Sequence, residues 1–105
     1  MEIRHIVMWR VAGATAAERN ANCITIRDAF EGLRGRIPGL DELEVGIDMS
    51  RIDYACDVVL YTRFRDAQSL EDYATHPEHQ RVKQALGSIR TERYQVDYQI
   101  DHQPD

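Results

Sequence analysis

Histidine and tyrosine side chains that lie close together in the sequence are the first candidates for chemistry in this chain. The segment from Tyr73 to Gln80 contains a tyrosine and two histidines, His76 and His79, and His5 is the other histidine outside the C-terminal tail. Imidazole titrates near pH 6.5, so it can serve as base or acid at neutral pH, and a tyrosine hydroxyl can stabilise a developing oxyanion. If the fold brings His5 to Tyr73 and His79, the two imidazoles can share one proton and the three side chains can carry out acid–base chemistry.

The same residues also allow a purely structural interpretation. A buried histidine pair can simply satisfy hydrogen bonds and fix a helix on a sheet. Aromatic residues at alternating strand positions are often plain core, but they can also line an apolar pocket. If such a pocket exists, the candidate substrate-binding residues are Val7, Trp9, His76 and Tyr94. For His76, which precedes a proline, capping of a helix start is the expected role.

Local signals place a helix start inside the histidine segment. Pro77 suits the first turn of a helix, because its fixed φ is already helical and its missing N–H would have no partner there. Thr75 and Glu78 have the spacing of a capping box. The new turn puts His76 and His79 on roughly one side. His-x-x-His alone is a weak metal signal and no further ligand stands out, so we expect no metal and no other cofactor.

Composition restricts the class of protein. A length of 105 residues predicts a single domain, 1–105, in which 101–105 is a polar tail. The formal net charge of -5, without a basic stripe, argues against nucleic acid as a partner, and no apolar run approaches the roughly 20 residues that span a bilayer. The N-terminus has no signal-peptide pattern, so we expect a cytoplasmic protein. Cys23 and Cys56 have no metal or redox spacing and are expected to be free thiols.

The hydrophobic patterns predict the order strand, helix, strand, strand, helix, strand. This order is typical of the ferredoxin-like βαββαβ fold of the α+β class, a four-stranded antiparallel sheet with helices on one face. A further helical stretch follows the histidine segment, with Gly87 near its end. The predicted strands are 2–11, 40–48, 54–64 and 92–100, and the predicted helices are 15–36 and 66–74.

The first and third strands, which are central in this topology, carry apolar residues on both faces. In the first strand, Val7 and Trp9 share the face of His5, whereas Ile6 and Met8 fall on the other face. Helices on one side leave the second face exposed, as a patch too large to be incidental. We therefore predict a homodimer in which the two sheets pack into a barrel. The opposite side, between sheet and helices near His5, is the expected place for a small-molecule pocket.

Three groups of residues resemble the stress-responsive dimeric α/β-barrel (Dabb) family, which includes the plant olivetolic acid cyclase. They are Ile3-Arg-His5-Ile-Val-Met-Trp9, then Ile37-Pro-Gly-Leu with Leu43-Glu-Val-Gly46, and Tyr73-x-x-His76-Pro-x-His79. The resemblance covers nearly the whole chain and implies a ferredoxin-like dimer. The plant cyclase closes a linear poly-β-ketone by aldol condensation without a cofactor. Its working residues correspond to His5, Tyr73 and His79 here.

These observations favour a cofactor-free enzyme of the cyclase or lyase type, which acts on a small ketone-bearing or aromatic molecule through histidine acid–base chemistry. Two alternatives stay open. One is a non-catalytic stress-responsive or ligand-binding homodimer in which the histidines are structural and the ligand is small and apolar or aromatic. The other is a heme-handling or cofactor-free monooxygenase, since other ferredoxin-like dimeric barrels have such activities.

Overall fold

A four-stranded antiparallel sheet with helices packed on one face forms the protein, as seen in a computed structural model that describes residues 1–101. The strand order is β2-β3-β1-β4, which confirms the predicted ferredoxin-like fold. No helix within residues 1–101 is both long and apolar enough to cross a bilayer. The predicted polar tail after Asp101, which includes His102, lies outside the described residues. The elements are β1 (Glu2–Val11), α1 (Ala16–Glu31), β2 (Leu40–Ile47), β3 (Val58–Phe64), α2 (Ala67–Thr75), α3 (Pro77–Leu86) and β4 (Arg90–Ile100).

Two predicted boundaries are wrong. The first helix ends at Glu31, not at residue 36, because Leu33 donates its N–H to the Phe30 carbonyl three residues back, and tight turns replace the helix from there. The third strand begins at Val58, not at residue 54. Asp57 turns the chain there: its N–H donates to the Trp9 carbonyl at 2.8 Å, and one of its carboxylate oxygens accepts from the backbone N–H of β1 at 2.9 Å.

The central strand β1 has one face under the helices and one face turned away from them. Ile3, Val7 and Trp9 are buried together with His5, and they join the core formed by the helices. The register pairs His5 with Thr62 of β3 on one side and with Asp97 of β4 on the other. Because side chains alternate along a strand, this register decides which residues of β4 face the helices.

The opposite sheet face carries an apolar surface, which we call the outer face. Across β1 and β4, Met8 pairs with Tyr94 and Ile6 pairs with Val96. Large apolar side chains are substantially exposed there, including Tyr94 and Val96 at 50% each and Tyr98 at 40%. Ion pairs flank the apolar centre. They are Arg63 with Glu2 and Glu42, and Arg10 with Glu92.

Candidate active site

His5 is held on β1 by contacts to both neighbouring strands. Its side chain is buried, and Nδ1 lies 2.5 Å from Oδ1 of Asp97 on β4. Thr62 on β3 donates its hydroxyl to the His5 carbonyl at 2.6 Å. Because an ionised carboxylate can only accept, Nδ1 of the neutral ring carries the proton and Nε2 remains a proton acceptor. Asp97 was not identified from the sequence as a partner of His5.

The junction between α2 and α3 is organised by His76 and Pro77. Pro77 opens α3, and Nδ1 of His76 accepts the Glu78 N–H at 3.1 Å, which confirms the capping expected of His76. The predicted Thr75–Glu78 capping box is wrong. Thr75 is the last residue of α2, and its hydroxyl donates to the Asp72 carbonyl at 3.5 Å. A residue before proline is driven to extended backbone, so the non-helical cap position falls on His76 and not on Thr75.

Tyr73 and His79 form one stacked unit across this junction. Their ring centroids are 4.0 Å apart at an interplanar angle of 15°. His79 donates from Nδ1 to the Tyr73 carbonyl at 3.1 Å, so its Nε2 is also left without a proton. Tyr73 meets the His5 ring edge-on, with centroids 6.1 Å apart. The fold therefore brings His5, Tyr73 and His79 together.

The predicted sharing of a proton between His5 and His79 is wrong. Within residues 1–101 no hydrogen bond joins the two imidazoles. Nδ1 of His5 is hydrogen-bonded to Asp97, and Nδ1 of His79 is hydrogen-bonded to the Tyr73 carbonyl. Both rings contact the Tyr73 ring.

Burial sets the protonation states of Tyr73 and His79. It lowers the pKa of His79 below its ordinary value of 6.5, and the nearby charge of Lys83 acts in the same direction. Burial also raises the pKa of Tyr73 well above its ordinary value of 10. At neutral pH the site therefore holds a neutral imidazole, which can accept a proton, beside a phenol that keeps its proton and can donate a hydrogen bond.

The Tyr73 hydroxyl is buried and has no hydrogen-bond partner within residues 1–101. A buried polar atom without a partner costs about 1–3 kcal/mol, so such atoms in native proteins call for a water, a ligand or a catalytic role. The hydroxyl belongs to a side chain that lines a cavity.

This cavity, which we call the cleft, lies between the sheet and the helices beside the first residues of β4. Its volume is about 240 Å³. The position is the one predicted for a small-molecule pocket. Its lining consists of His5, Val7, Trp9, Phe30, Leu60, Tyr73, His79, Lys83, Gly87, Arg90, Thr91, Glu92 and Arg93.

Five of the seven residues predicted for the site line the cleft, and two do not. Tyr94 lies on the outer face opposite Met8, so its assignment to the same site as His5 is wrong. The reason is the pairing of β4 with β1, which could not be read from the alternation within β4 alone. His76 also lies outside the lining, since its ring caps α3. Within residues 1–101 no three histidine, cysteine or acidic side chains cluster in a way that could hold a metal ion.

Sequence reasoning also missed the cations of the cleft, Lys83, Arg90 and Arg93. Arg90 lies over the Trp9 ring, with its guanidinium carbon 5.1 Å from the ring centroid. Arg93 pairs across the sheet with Trp9 and therefore shares its face. The alternation of polar residues in β4 was visible, but assigning Arg93 to the cleft required the register.

The sheet order, the helices on one face and the histidine-lined cleft define a ferredoxin-like α+β protein with a candidate acid–base site. The chain belongs to the Stress responsive A/B Barrel Domain (Dabb) family, whose family model matches residues 3–100. No curated protein matches the chain significantly.

Solved structures share this fold over almost the whole chain. One is a dimeric protein of unknown function from Bacteroides fragilis, at 27% identity and a TM-score of 0.82, covering 94% of this chain and 96% of that one. A dimeric ferredoxin-like protein of unknown function from Thermobifida fusca has 20% identity and a TM-score of 0.80, with coverages of 95% and 92%. Hydroxynitrile lyase from Passiflora edulis has 14% identity and a TM-score of 0.78, with coverages of 99% and 97%.

The depressed pKa of His79 predicts a specific pH dependence of stability. As the pH falls below 6.5, the unfolded chain protonates His79, whereas the folded protein resists protonation until a lower pH. The stability associated with the neutral ring is fully present above pH 6.5 and is lost as the pH falls through the lower folded-state pKa. Wild type should therefore lose more free energy of unfolding than His79→Gln between about pH 7.5 and about pH 5.5 in urea titrations. An NMR titration midpoint of the folded His79 ring at or above 6.5 would contradict the prediction.

Proposed function

We propose that this protein is a cofactor-free acid–base enzyme of the cyclase or lyase type that acts on a small ketone-bearing or aromatic molecule. One observation carries the proposal: a neutral imidazole with a free Nε2, that of His79, is stacked on a tyrosine whose buried hydroxyl has no partner within residues 1–101. Both residues line the same cleft as His5. A base and a hydrogen-bond donor side by side are the two groups that proton abstraction next to a carbonyl requires.

The reaction follows from these positions. Nε2 of His79 accepts a proton from the carbon next to the carbonyl, and the electrons of that C–H bond move to the carbonyl oxygen as an enolate. The Tyr73 hydroxyl donates a hydrogen bond to that oxygen, where negative charge develops. His5 serves as the second acid–base group, because Asp97 fixes its tautomer and stabilises the imidazolium formed when Nε2 accepts a proton. The enolate then attacks a second carbonyl in a cyclase, or expels a leaving group from the neighbouring carbon in a lyase. The His79 imidazolium gives the proton it accepted to the resulting alkoxide or leaving group, which restores the neutral ring.

A non-catalytic ligand-binding protein is the second candidate function. The Tyr73–His79 stack and the bond from His79 to the Tyr73 carbonyl also hold α2 against α3, which favours a structural role for these rings. On this alternative, replacing His79 lowers stability and changes no reaction rate. The name of the Passiflora edulis relative, hydroxynitrile lyase, supports the catalytic reading, since it assigns lyase chemistry to a protein of the same fold.

Exchange of ketone protons for deuterium tests the catalytic proposal without knowledge of the substrate. In D₂O, wild type should accelerate loss of the methyl proton signal of acetophenone, followed by NMR. His79→Gln should lower the enzyme-catalysed rate about 10²-fold or more, because the proton acceptor is gone. Tyr73→Phe should lower it about 10²-fold, because the donor to the enolate oxygen is gone.

His76→Gln is the matched control, since it removes an imidazole of the same segment that lies outside the cleft. This variant should keep the wild-type exchange rate while losing some stability through its weaker helix cap. Equal exchange rates in wild type and His79→Gln, with both proteins folded, would reject the catalytic proposal in favour of ligand binding.

We also propose that the protein is a homodimer joined through the outer face. The exposed apolar side chains of β1 and β4 lie beside one another there, with charged pairs around them, which is the layout of an interface core and its rim. The dimeric relatives from Bacteroides fragilis and Thermobifida fusca support this assembly. We propose a cytoplasmic location as well, supported by the two free thiols, Cys23 and Cys56.

Val96→Glu should convert the dimer to a monomer, because it places a charge among the exposed apolar side chains of the outer face. Light scattering coupled to size exclusion should give twice the 12.1 kDa chain mass for wild type and the chain mass itself for the variant. Gln99→Glu on the same strand but the opposite face is the matched control and should stay dimeric. A wild-type protein that elutes as a monomer at micromolar concentration would reject the dimer.

A further inference from the structure

Three cations of the cleft have no acidic partner. Within residues 1–101, eight arginines lie within 4.0 Å of a carboxylate, but Lys83, Arg90 and Arg93 do not. Arg93 is bound to a neutral group, the Gln95 side-chain oxygen, at 2.5 Å. These three side chains converge on one cavity in a chain whose formal net charge is -5. Their concentration there contrasts with the acidic balance of the whole chain.

The acidic groups near the cleft do not neutralise these cations. Glu92 lines the cleft, but its carboxylate is 2.9 Å from Arg10. Asp97 is bound to His5. Arg90 is half-buried, and the cost of that burial together with the charge of Arg93 lowers the pKa of its guanidinium. A desolvated guanidinium without a counter-ion is unfavourable, and a ligand carboxylate would remove that cost.

The cleft lining also has an apolar and aromatic part, which adjoins these cations. Trp9 stacks on Phe30 with ring centroids 5.2 Å apart at an angle of 18°, and Val7 and Leu60 complete this surface. A cavity of about 150 Å³ suffices to hold benzene. The cleft, at about 240 Å³, has room for one such ring together with a carboxylate and a short connecting group.

We propose that the cleft binds a small organic acid. The carboxylate lies between Arg90 and Arg93, with the charge of Lys83 nearby, and the apolar body lies against Trp9 and Phe30. The substrate class is the one part of this inference that rests on the proposed function. A ligand anchored by its carboxylate presents a ketone group to Tyr73 and His79. The substrate is therefore an aryl or alkyl keto acid. Guanidinium groups suit this role because they can hold a carboxylate through two parallel hydrogen bonds.

Paired acids and amides of the same shape test the inference by calorimetry. Wild type should bind benzoate and phenylacetate at least about tenfold more tightly than benzamide and phenylacetamide, because hydrogen bonds to charged groups are the stronger ones. Arg93→Gln should reduce this preference about tenfold or more, and it should fold normally because the side chain is exposed. Arg90→Gln should have the same effect, and its melting temperature shows whether the loss of its contact with Trp9 unfolds it.

Arg65→Gln is the matched control. Arg65 follows the last residue of β3, at the opposite end of that strand from Val58, which pairs with Trp9. This variant should bind the acids as wild type does. The inference is overturned if acids and amides bind equally, if neither binds, or if Arg93→Gln and Arg65→Gln behave alike.

The two proposals fail in different ways. If the acids do not bind while exchange on neutral acetophenone still depends on His79, the carboxylate anchor is wrong and the enzyme proposal stands. If the acids bind through Arg93 while no exchange occurs, the anchor is right and the cleft belongs to a binding protein.

Discussion

The register of β1 against its two neighbours is the constraint on which the rest of the structure depends. His5 lies opposite Thr62 on one side and Asp97 on the other, and both neighbours contact it directly. A slip of one residue would move every side chain of β1 to the other face. His5 and Trp9 would then leave the cleft, and Ile6 and Met8 would replace them under the helices. His5 and the apolar residues of β1 are thus assigned to their faces together, by one set of backbone hydrogen bonds.

The two faces of the sheet consequently serve different purposes. The face under the helices carries His5 and Trp9, which line the cleft together with Tyr73 and His79 of the helices. The outer face carries exposed apolar side chains, which we propose contact a partner subunit. At its first residues β4 borders the cleft, and along its length it contributes Asp97 to one face and Val96 to the other. This strand therefore links the proposed dimer surface with the proposed site. A partner that fixes β4 would also hold Asp97 against His5.

Much of the fold could be predicted because its signals are local. Alternating apolar residues identified the strands, and the apolar residues on both faces of the first strand predicted one face under the helices and a second face against a partner subunit. The grouping of His5 with Tyr73 and His79 came from the resemblance to the Dabb family together with the expected topology. Local competition between signals caused the error at the helix start, where Pro77 forces extended backbone on His76 and so removes Thr75 from the cap position.

The rest of the site depends on pairing between distant segments, which a single sequence does not record. Tyr94 was assigned to the cleft and Asp97 was overlooked for the same reason, since the choice between them depends on the alignment of β4 with β1. The position of Arg90 and Arg93 in the cleft could not be predicted for the same reason. Charged residues on an exposed strand are usually solvated, so their residue type did not indicate a site. The alternation of residues along β4 shows that two sets of side chains lie on opposite faces of the sheet. Only the register of β4 against β1 shows which of the two sets lies on the face of His5.

A crystal of the protein soaked with acetophenone gives the most direct test of the claim that the cleft binds a carbonyl compound at Tyr73 and His79. The account predicts density for the ring beside Trp9 and Phe30, with the ketone oxygen within hydrogen-bond distance of the Tyr73 hydroxyl. The outer face offers an alternative groove of about 370 Å³, lined in part by Met8, Tyr54 and Val59. Density confined to that groove, with the cleft occupied by water alone, would contradict the account.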